Sequence, residues 1–321
     1  MRRAGAVLLA AIALVAMAAP WLAPNPPGRG FPDLLNAPPT PVRVWDGGPR
    51  APFIYRQRVV SRLERRFDEV STERVPLRWF AGEVLVTADP ERGVPLLLLG
   101  ADGYGRDIFA RLVHGARLTL ALALLATLGA TLLGGVVGGV SGYAGGRLDL
   151  LLSRLTEFVL VLPAVYVVLA LRAALPLVVA PSTTFLALGC IFTVFGWPFV
   201  AKGVRGIVAS EREREYVQAA RALGAGPARI LWTHILPSVR GHVAAQATLL
   251  LPAFILAEAT MSFIGFGFPD RTPTWGTLLQ DAANVSMLSE APWTLAPAGA
   301  IFVVVLGVNL VLQRSGRVPV Q

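Results

Sequence analysis

The chain of 321 residues holds one lysine, three histidines and one cysteine, so the chemistry open to those side chains is soon exhausted. Lys202 stands in VAKGVR with no GxxxxGK[ST] loop before it, and without such a loop to cradle phosphates there is no Walker-type site to bind and hydrolyse ATP. His114, His234 and His242 share no metal-ligand spacing and belong to no Ser-His-Asp pattern. Cys190 is alone in an apolar run, which excludes internal disulfides, CxxC redox pairs and thiolate zinc sites and makes it a small packing residue. No catalytic residue, metal site or cofactor follows. The unusual side chain is Glu258, ionisable inside a long apolar run, where it costs about 3 kcal/mol or more unless paired or facing water. It is either a pathway carboxylate or a hydrogen-bonded structural group in a helix bundle. Arg154 and Glu157, three apart, read as a local pair, and Asn309 as interhelical glue.

With 54% hydrophobic residues and 15% charged, the chain is too apolar for an ordinary soluble domain. A net charge of +9 would suit nucleic acid, but no stretch joins clustered basic residues to aromatics in a soluble module, so nucleic acid is not a partner. Membrane topology accounts for the arginines instead. A hydrocarbon core of roughly 30 Å needs about 20 helical residues. Runs of that kind near 4–23, 116–140, 149–173, 183–201, 243–266 and 294–313 predict an all-α membrane protein of about six transmembrane helices. The first run ends at Ala16-Met17-Ala18, a pattern shared with cleaved signal peptides, yet continues through Trp21 and Leu22.

Arg2, Arg3, Lys202, Arg205, Arg212, Arg214, Arg221, Arg229, Arg240, Arg314 and Arg317 fall on one side, which positive-inside bias makes cytoplasmic, together with both termini. Residues 24–97, too long for that bias to hold back, form an outer insert. It opens on a proline-rich stretch and continues through FIYRQRVV, PLRWFAG and EVLVTA, which read as strands of a small β-containing domain or, failing a core, as a disordered loop. A surface helix is expected within 98–115, where Gly103 and Gly105 turn the chain and Asp107 lies in the first helical turn, favourable to its dipole. The five-helix core 116–313 and a cytoplasmic tail, 314–321, follow. Gly134, Gly138 and Gly142 share a helix face suited to close packing, and Pro163, Pro198 and Pro252 predict kinks.

One polar segment interrupts the core. In YVQAARALGAGPARILWTHILP, residues 216–237, good helix formers run to 223, Gly224 is a stop needing positive φ, and Pro227 starts a second helix. There Ile230, Leu231 and Ile235 share an apolar side, Arg229 and His234 are polar, and Pro237 ends it. Such a helix needs lipid headgroups or a groove on a cytoplasmic partner to cover it.

Gln218-Ala219-Ala220, Gly224 and His234-Ile235-Leu236-Pro237 resemble the EAA loop of ABC importer permeases, with Gln218 where the motif has glutamate. LGADGYGRDIFARLVHGAR (99–117) and AEATMSFIGFGFPDRTPTWGTLLQDA (257–282) resemble permeases of the dipeptide, oligopeptide and nickel import family, the matches together running from about 98 to 312. The outer insert is longer than usual there, and the tail lacks the usual ending. The resemblance implies a multi-pass permease subunit in a bacterial cytoplasmic (inner) membrane, without an ATP site of its own. It forms a peptide pathway as a heterodimer with a second, homologous permease, is driven by two ABC ATPase subunits and receives solute from an extracytoplasmic substrate-binding protein. The coupling helix lies in the loop 211–238, with Gln218, Ala219, Ala220, Gly224, Arg229, Ile230, Leu231, His234, Leu236 and Pro237 as the ATPase-coupling residues. Membrane lipid is the remaining partner. An ion-gradient carrier with Glu258 as coupling carboxylate would show inverted repeats and more intramembrane charge; a non-transporting assembly protein is the other alternative.

Overall fold

The computed structural model describes residues 2–61, 65–174, 180–282 and 291–312; the expected tail 314–321, with Arg314 and Arg317, lies outside them. The helices are α1 (Arg2–Met17), α2 (Ala19–Leu22), α3 (Ile108–Ala144), α4 (Gly146–Val161), α5 (Ala164–Ala174), α6 (Pro181–Glu211), α7 (Glu215–Ala222), α8 (Pro227–Arg229), α9 (Leu236–Phe263), α10 (Trp275–Asp281) and α11 (Ala296–Leu312). A π-helical segment, Ile230–Ile235, joins α8 to α9. The chain forms two compact units, Met1–Leu120 with Glu258–Gln321, and Ala121–Ala257.

Among the described residues four helical stretches are long and apolar enough to cross a membrane: Ile108–Ala144, Pro181–Glu211, Pro227–Phe263 and Pro292–Val311. The other two expected spans are interrupted. The first is divided between α1 and α2, with Pro20 in the first turn of α2. The third breaks at Pro163: Leu162, immediately before it, is driven to an extended conformation (φ −65°, ψ 123°), and α5 starts afresh. Pro198 and Pro252, by contrast, lie inside continuous helices. Nor is the surface helix expected within 98–115 a separate element. α3 runs unbroken for 37 residues from Ile108, about 55 Å of helix, because no proline separates its head, with Arg111, His114 and Arg117, from its apolar body.

In the first unit the insert carries an antiparallel sheet of β1 (Arg43–Trp45), β2 (Pro49–Ser61) and β3 (Arg66–Pro76), and a pair of β4 (Arg78–Trp79) and β5 (Val86–Thr87). FIYRQRVV lies within β2, paired from Phe53 opposite Pro76 to Ser61 opposite Arg66, with a register shift after Tyr55. The insert has the core that a disordered loop would lack. Ile54, Ala88, Val94 and Leu96 form one cluster, and Phe31, Leu34 and Ala37 of the proline-rich stretch bury themselves with Leu97 and Ala101 in another. At the opposite end of the sequence α11 packs along α1, where a β-carbon on Gly5 would lie 2.7 Å from the Gly307 carbonyl oxygen.

The second unit depends on the glycine face of α3. A β-carbon on Gly134, Gly138 or Gly142 would fall 2.5–2.6 Å from the carbonyl oxygens of Trp197, Ala201 and Arg205, and within 2.6–2.9 Å of Val200, Val204 and Val208. Three glycines at four-residue spacing thus receive three buried valines at the same spacing on α6. Gly135 and Gly139 face open space. Gly138→Val should therefore lower the thermal midpoint of the detergent-solubilised protein, at an overpacking cost of about 1–3 kcal/mol. Gly139→Ala should leave the midpoint unchanged or raise it; equal effects at the two positions would contradict this packing.

Candidate functional site

The segment 211–238 is a helix, a left-handed turn and a second helix. α7 is closed by Gly224, whose φ is +83°. The Gly224 N–H donates to the Arg221 carbonyl and the Ala225 N–H to the Ala220 carbonyl, both at 3.0 Å, which is the paired bonding of a Schellman cap. Tyr216 donates to the Glu211 carboxylate, tying α7 to the end of α6. The Gln218 amide donates to the Glu213 carbonyl at 3.1 Å, a bond that a glutamate could make only when protonated. Ala219, Gly224 and Arg229 are exposed, and Ala220 is half-buried.

Beyond the turn the structure corrects two expectations. Pro237 does not end the second helix: helical backbone continues from Pro227 to Phe263. Bonding in Ile230–Ile235 is π-helical, and the Leu236 N–H reaches the Leu231 carbonyl. The wider π turn gives the proline ring room that an α turn denies it. The expected apolar docking face is also turned inward, since Ile230 is 1% and Ile235 0% exposed, in a segment packed against α7, whose Val217 is likewise buried. Leu231, His234 and Leu236 are half-buried and Pro237 is exposed. The most exposed large apolar side chains of the segment are Leu223, 89% exposed, and Trp232, 72% exposed.

Glu258 lies in the other unit, with hydroxyl donors at both carboxylate oxygens. It is 1% exposed. Ser262 donates to one carboxylate oxygen at 2.8 Å and Thr119 to the other at 3.1 Å, while the Trp275 N–H donates to the Thr119 hydroxyl oxygen. The Thr274 side chain and Gly276 N–H also reach the carboxylate. Thr274 caps α10 in a capping box with Thr277, so Glu258 fixes where α10 begins. Trp275 donates its indole N–H to the Leu112 carbonyl.

A buried charge cluster, which sequence reasoning missed, joins the two stretches around 106 and 270. The Asp102 carboxylate accepts from the Tyr104 and Arg106 N–H groups, each at 2.9 Å, and from Arg106 Nε at 2.7 Å. Arg106 also bonds the Asp270 carboxylate, and Arg111, fully buried, donates to the Asp270 carbonyl and lies 3.6 Å from Asp102. The only local signal is the Asp-x3-Arg-x4-Arg spacing; Asp270 is remote in sequence. Asp107 precedes α3 as its cap, accepting from the Phe109 and Ala110 N–H groups and from the Asn25 amide. Burial pushes its carboxyl up to about 6, against the opposing pull of those bonds, and Asp102 nearby adds to the rise.

Residues 130–318 match the family described as binding-protein-dependent transport system inner membrane component. The chain is 34% identical over 209 residues to the oligopeptide transport system permease protein OppC of Lactococcus lactis subsp. cremoris, covering 65% of this chain and 69% of that protein. To the dipeptide transport system permease protein DppC of Alkalihalophilus pseudofirmus it is 36% identical over 213 residues, covering 66% and 67%. A solved structure of the MetNI methionine ABC transporter in an inward-facing conformation aligns with 63% of this chain and 96% of its own, at 18% identity and a TM-score of 0.48.

Two outcomes follow from these bonds. Glu258→Ala, which strands the Thr119 and Ser262 hydroxyls, should lower the thermal midpoint by an amount worth about 1–3 kcal/mol and open the 264–274 loop to protease, whereas Glu258→Gln should stay near wild type. For Asp107, the native carboxyl is raised above its unfolded value of about 4, so its contribution to stability is present below pH 4 and lost as pH rises through about 6. Thermal midpoints of the wild type should therefore fall across that window relative to Asp107→Asn; parallel pH profiles for the two proteins would rule out a raised Asp107.

Proposed function

Because the chain belongs to the binding-protein-dependent transport system inner membrane component family, we propose that this multi-pass inner-membrane protein is the permease subunit of an ATP-driven importer of peptides. Its oligopeptide and dipeptide permease relatives support the solute class. It forms the pathway with a second, homologous permease, takes solute from an extracytoplasmic binding protein and leaves ATP hydrolysis to two ATPase subunits. Both termini are cytoplasmic, and the β-containing insert 24–97 is extracytoplasmic. The observation that carries the coupling role is the Schellman-capped turn at Gly224, which leaves Leu223 and Trp232 outward. Large apolar side chains held in the open by a defined turn suit insertion into a groove of a cytoplasmic partner. Ile230 and Ile235 hold the second helix onto α7, so their part in coupling is to shape the segment.

The test uses the assembled transporter. Gly224→Val opposes positive φ by about 1–2 kcal/mol, and Trp232→Asp puts a charge where an apolar contact is expected. Both variants should reach the membrane in normal amount, then lose co-purification with the ATPases or lose stimulation of ATP hydrolysis by loaded binding protein. Ile230→Asp, in contrast, should lower the yield of folded protein. Unchanged association and stimulation in Gly224→Val and Trp232→Asp would refute the coupling assignment, and uptake driven by an ion gradient without ATP would refute the importer reading.

A further inference from the structure

A cavity of about 530 Å³ opens in the second unit among the C-terminal part of α3, α4 and α6. Val137, Leu150 and Leu160 line it on the apolar side, and Lys202, Arg205 and Arg154 bring three cations to it. Two carboxylates face the same space, and each is already engaged. Asp149 accepts from Arg205 Nε at 2.5 Å and Arg205 Nη2 at 2.6 Å, and also from Ser141. Glu157 accepts from Arg154 at 3.0 Å. Lys202 is exposed and makes no ion pair with any described residue. The lining thus has one cation in excess, and that cation is the chain's one lysine, a compact ammonium with three donors.

The position of Lys202 gives the surplus charge a meaning. It is the first charge after the apolar run 183–201 of α6, with Arg205, Arg212 and Arg214 beyond it, so it stands at headgroup level on the positively flanked side. A ligand filling this cavity meets hydrocarbon on one side and an unpaired ammonium on the other, the Ser153 hydroxyl being engaged with Asp149. Free phosphate would use only the polar side. A phospholipid matches both, and an anionic headgroup matches the uncompensated charge where a zwitterionic one brings its own cation.

We propose that this cavity is a binding site for an anionic phospholipid, with Lys202 as the residue that holds its phosphate. The inference rests on the membrane placement of α6, not on the peptide-importer reading, and it stands whatever solute is carried.

The full chain, purified in mild detergent and exchanged into nanodiscs, should retain phosphatidylglycerol through delipidation as read by native mass spectrometry. Lys202→Gln should weaken retention by about fivefold, the share of one cation near a membrane surface, and Lys202→Arg should restore most of it. Arg221→Gln, at an exposed cation outside the cavity lining, is the control and should retain lipid normally. Elution volume and thermal midpoint in detergent alone check that each variant is folded. Equal retention by wild type and Lys202→Gln would overturn the proposal. So would equal retention of phosphatidylcholine, or thermal stabilisation by millimolar inorganic phosphate that matches the lipid's, which would make this a site for the phosphate group alone. Displacement of the lipid by transported peptide would assign the cavity to the solute instead.

Discussion

Close backbone approach between α3 and α6 is the constraint on which the second unit depends. Lipid gives two apolar helices no hydrophobic reason to associate, so contact must come from fit. The fit here is three glycines against three valines at matched spacing, with carbonyl oxygens of α6 standing where β-carbons of α3 would be. Much else follows from it. Arg205, one turn below Ala201, reaches Asp149 at the start of α4, and Arg212 donates to the Gly142 and Tyr143 carbonyls at the end of α3, where a helix leaves carbonyls without partners. α4 is thereby fixed against α6 beside the cavity, and α7 leaves α6 in a defined direction.

The first unit solves a different problem, that of holding an irregular stretch between α9 and α10 in place. Gly265 has φ +81° and Pro269 and Pro273 interrupt any helix, so the chain from 264 to 274 cannot satisfy itself by regular bonding. It is held at its middle and at its far end by α3 and the turn before it. Arg106 and Arg111 grip Asp270, and Thr119 links the Trp275 N–H to Glu258. Glu258 is affordable in an apolar run because hydroxyls and backbone N–H groups surround its carboxylate; as an unpaired charge at 1% exposure it would not be.

Local rules were the legible part of the sequence. Gly224 as a left-handed stop, the apolar runs, the glycine face of α3 and the strand at FIYRQRVV each depend on neighbours within one turn or one pleat. Two kinds of feature escaped. Buried pairings such as Arg111 with Asp270 join residues 159 apart, and charge type alone names no partner. The inward face of Ile230 and Ile235 depends on packing against α7, which the periodicity of one helix does not carry, and a widened π turn lets Pro237 pass where local rules place a stop. Pro163 shows the converse: without such a turn, the residue before it becomes extended and the helix breaks.

The replacement of glutamate by Gln218 acquires a physical reading from these bonds. α7 begins after a tight turn whose Glu213 carbonyl accepts from the Gln218 amide. An ionised glutamate would present only acceptors there and leave that carbonyl to water. The neutral side chain also leaves four arginines against three glutamates between residues 211 and 229, where a glutamate would balance them. The exposed surface of the segment is thus slightly basic around Leu223 and Trp232. A partner groove complementary to it would be apolar at its centre and acidic at its rim.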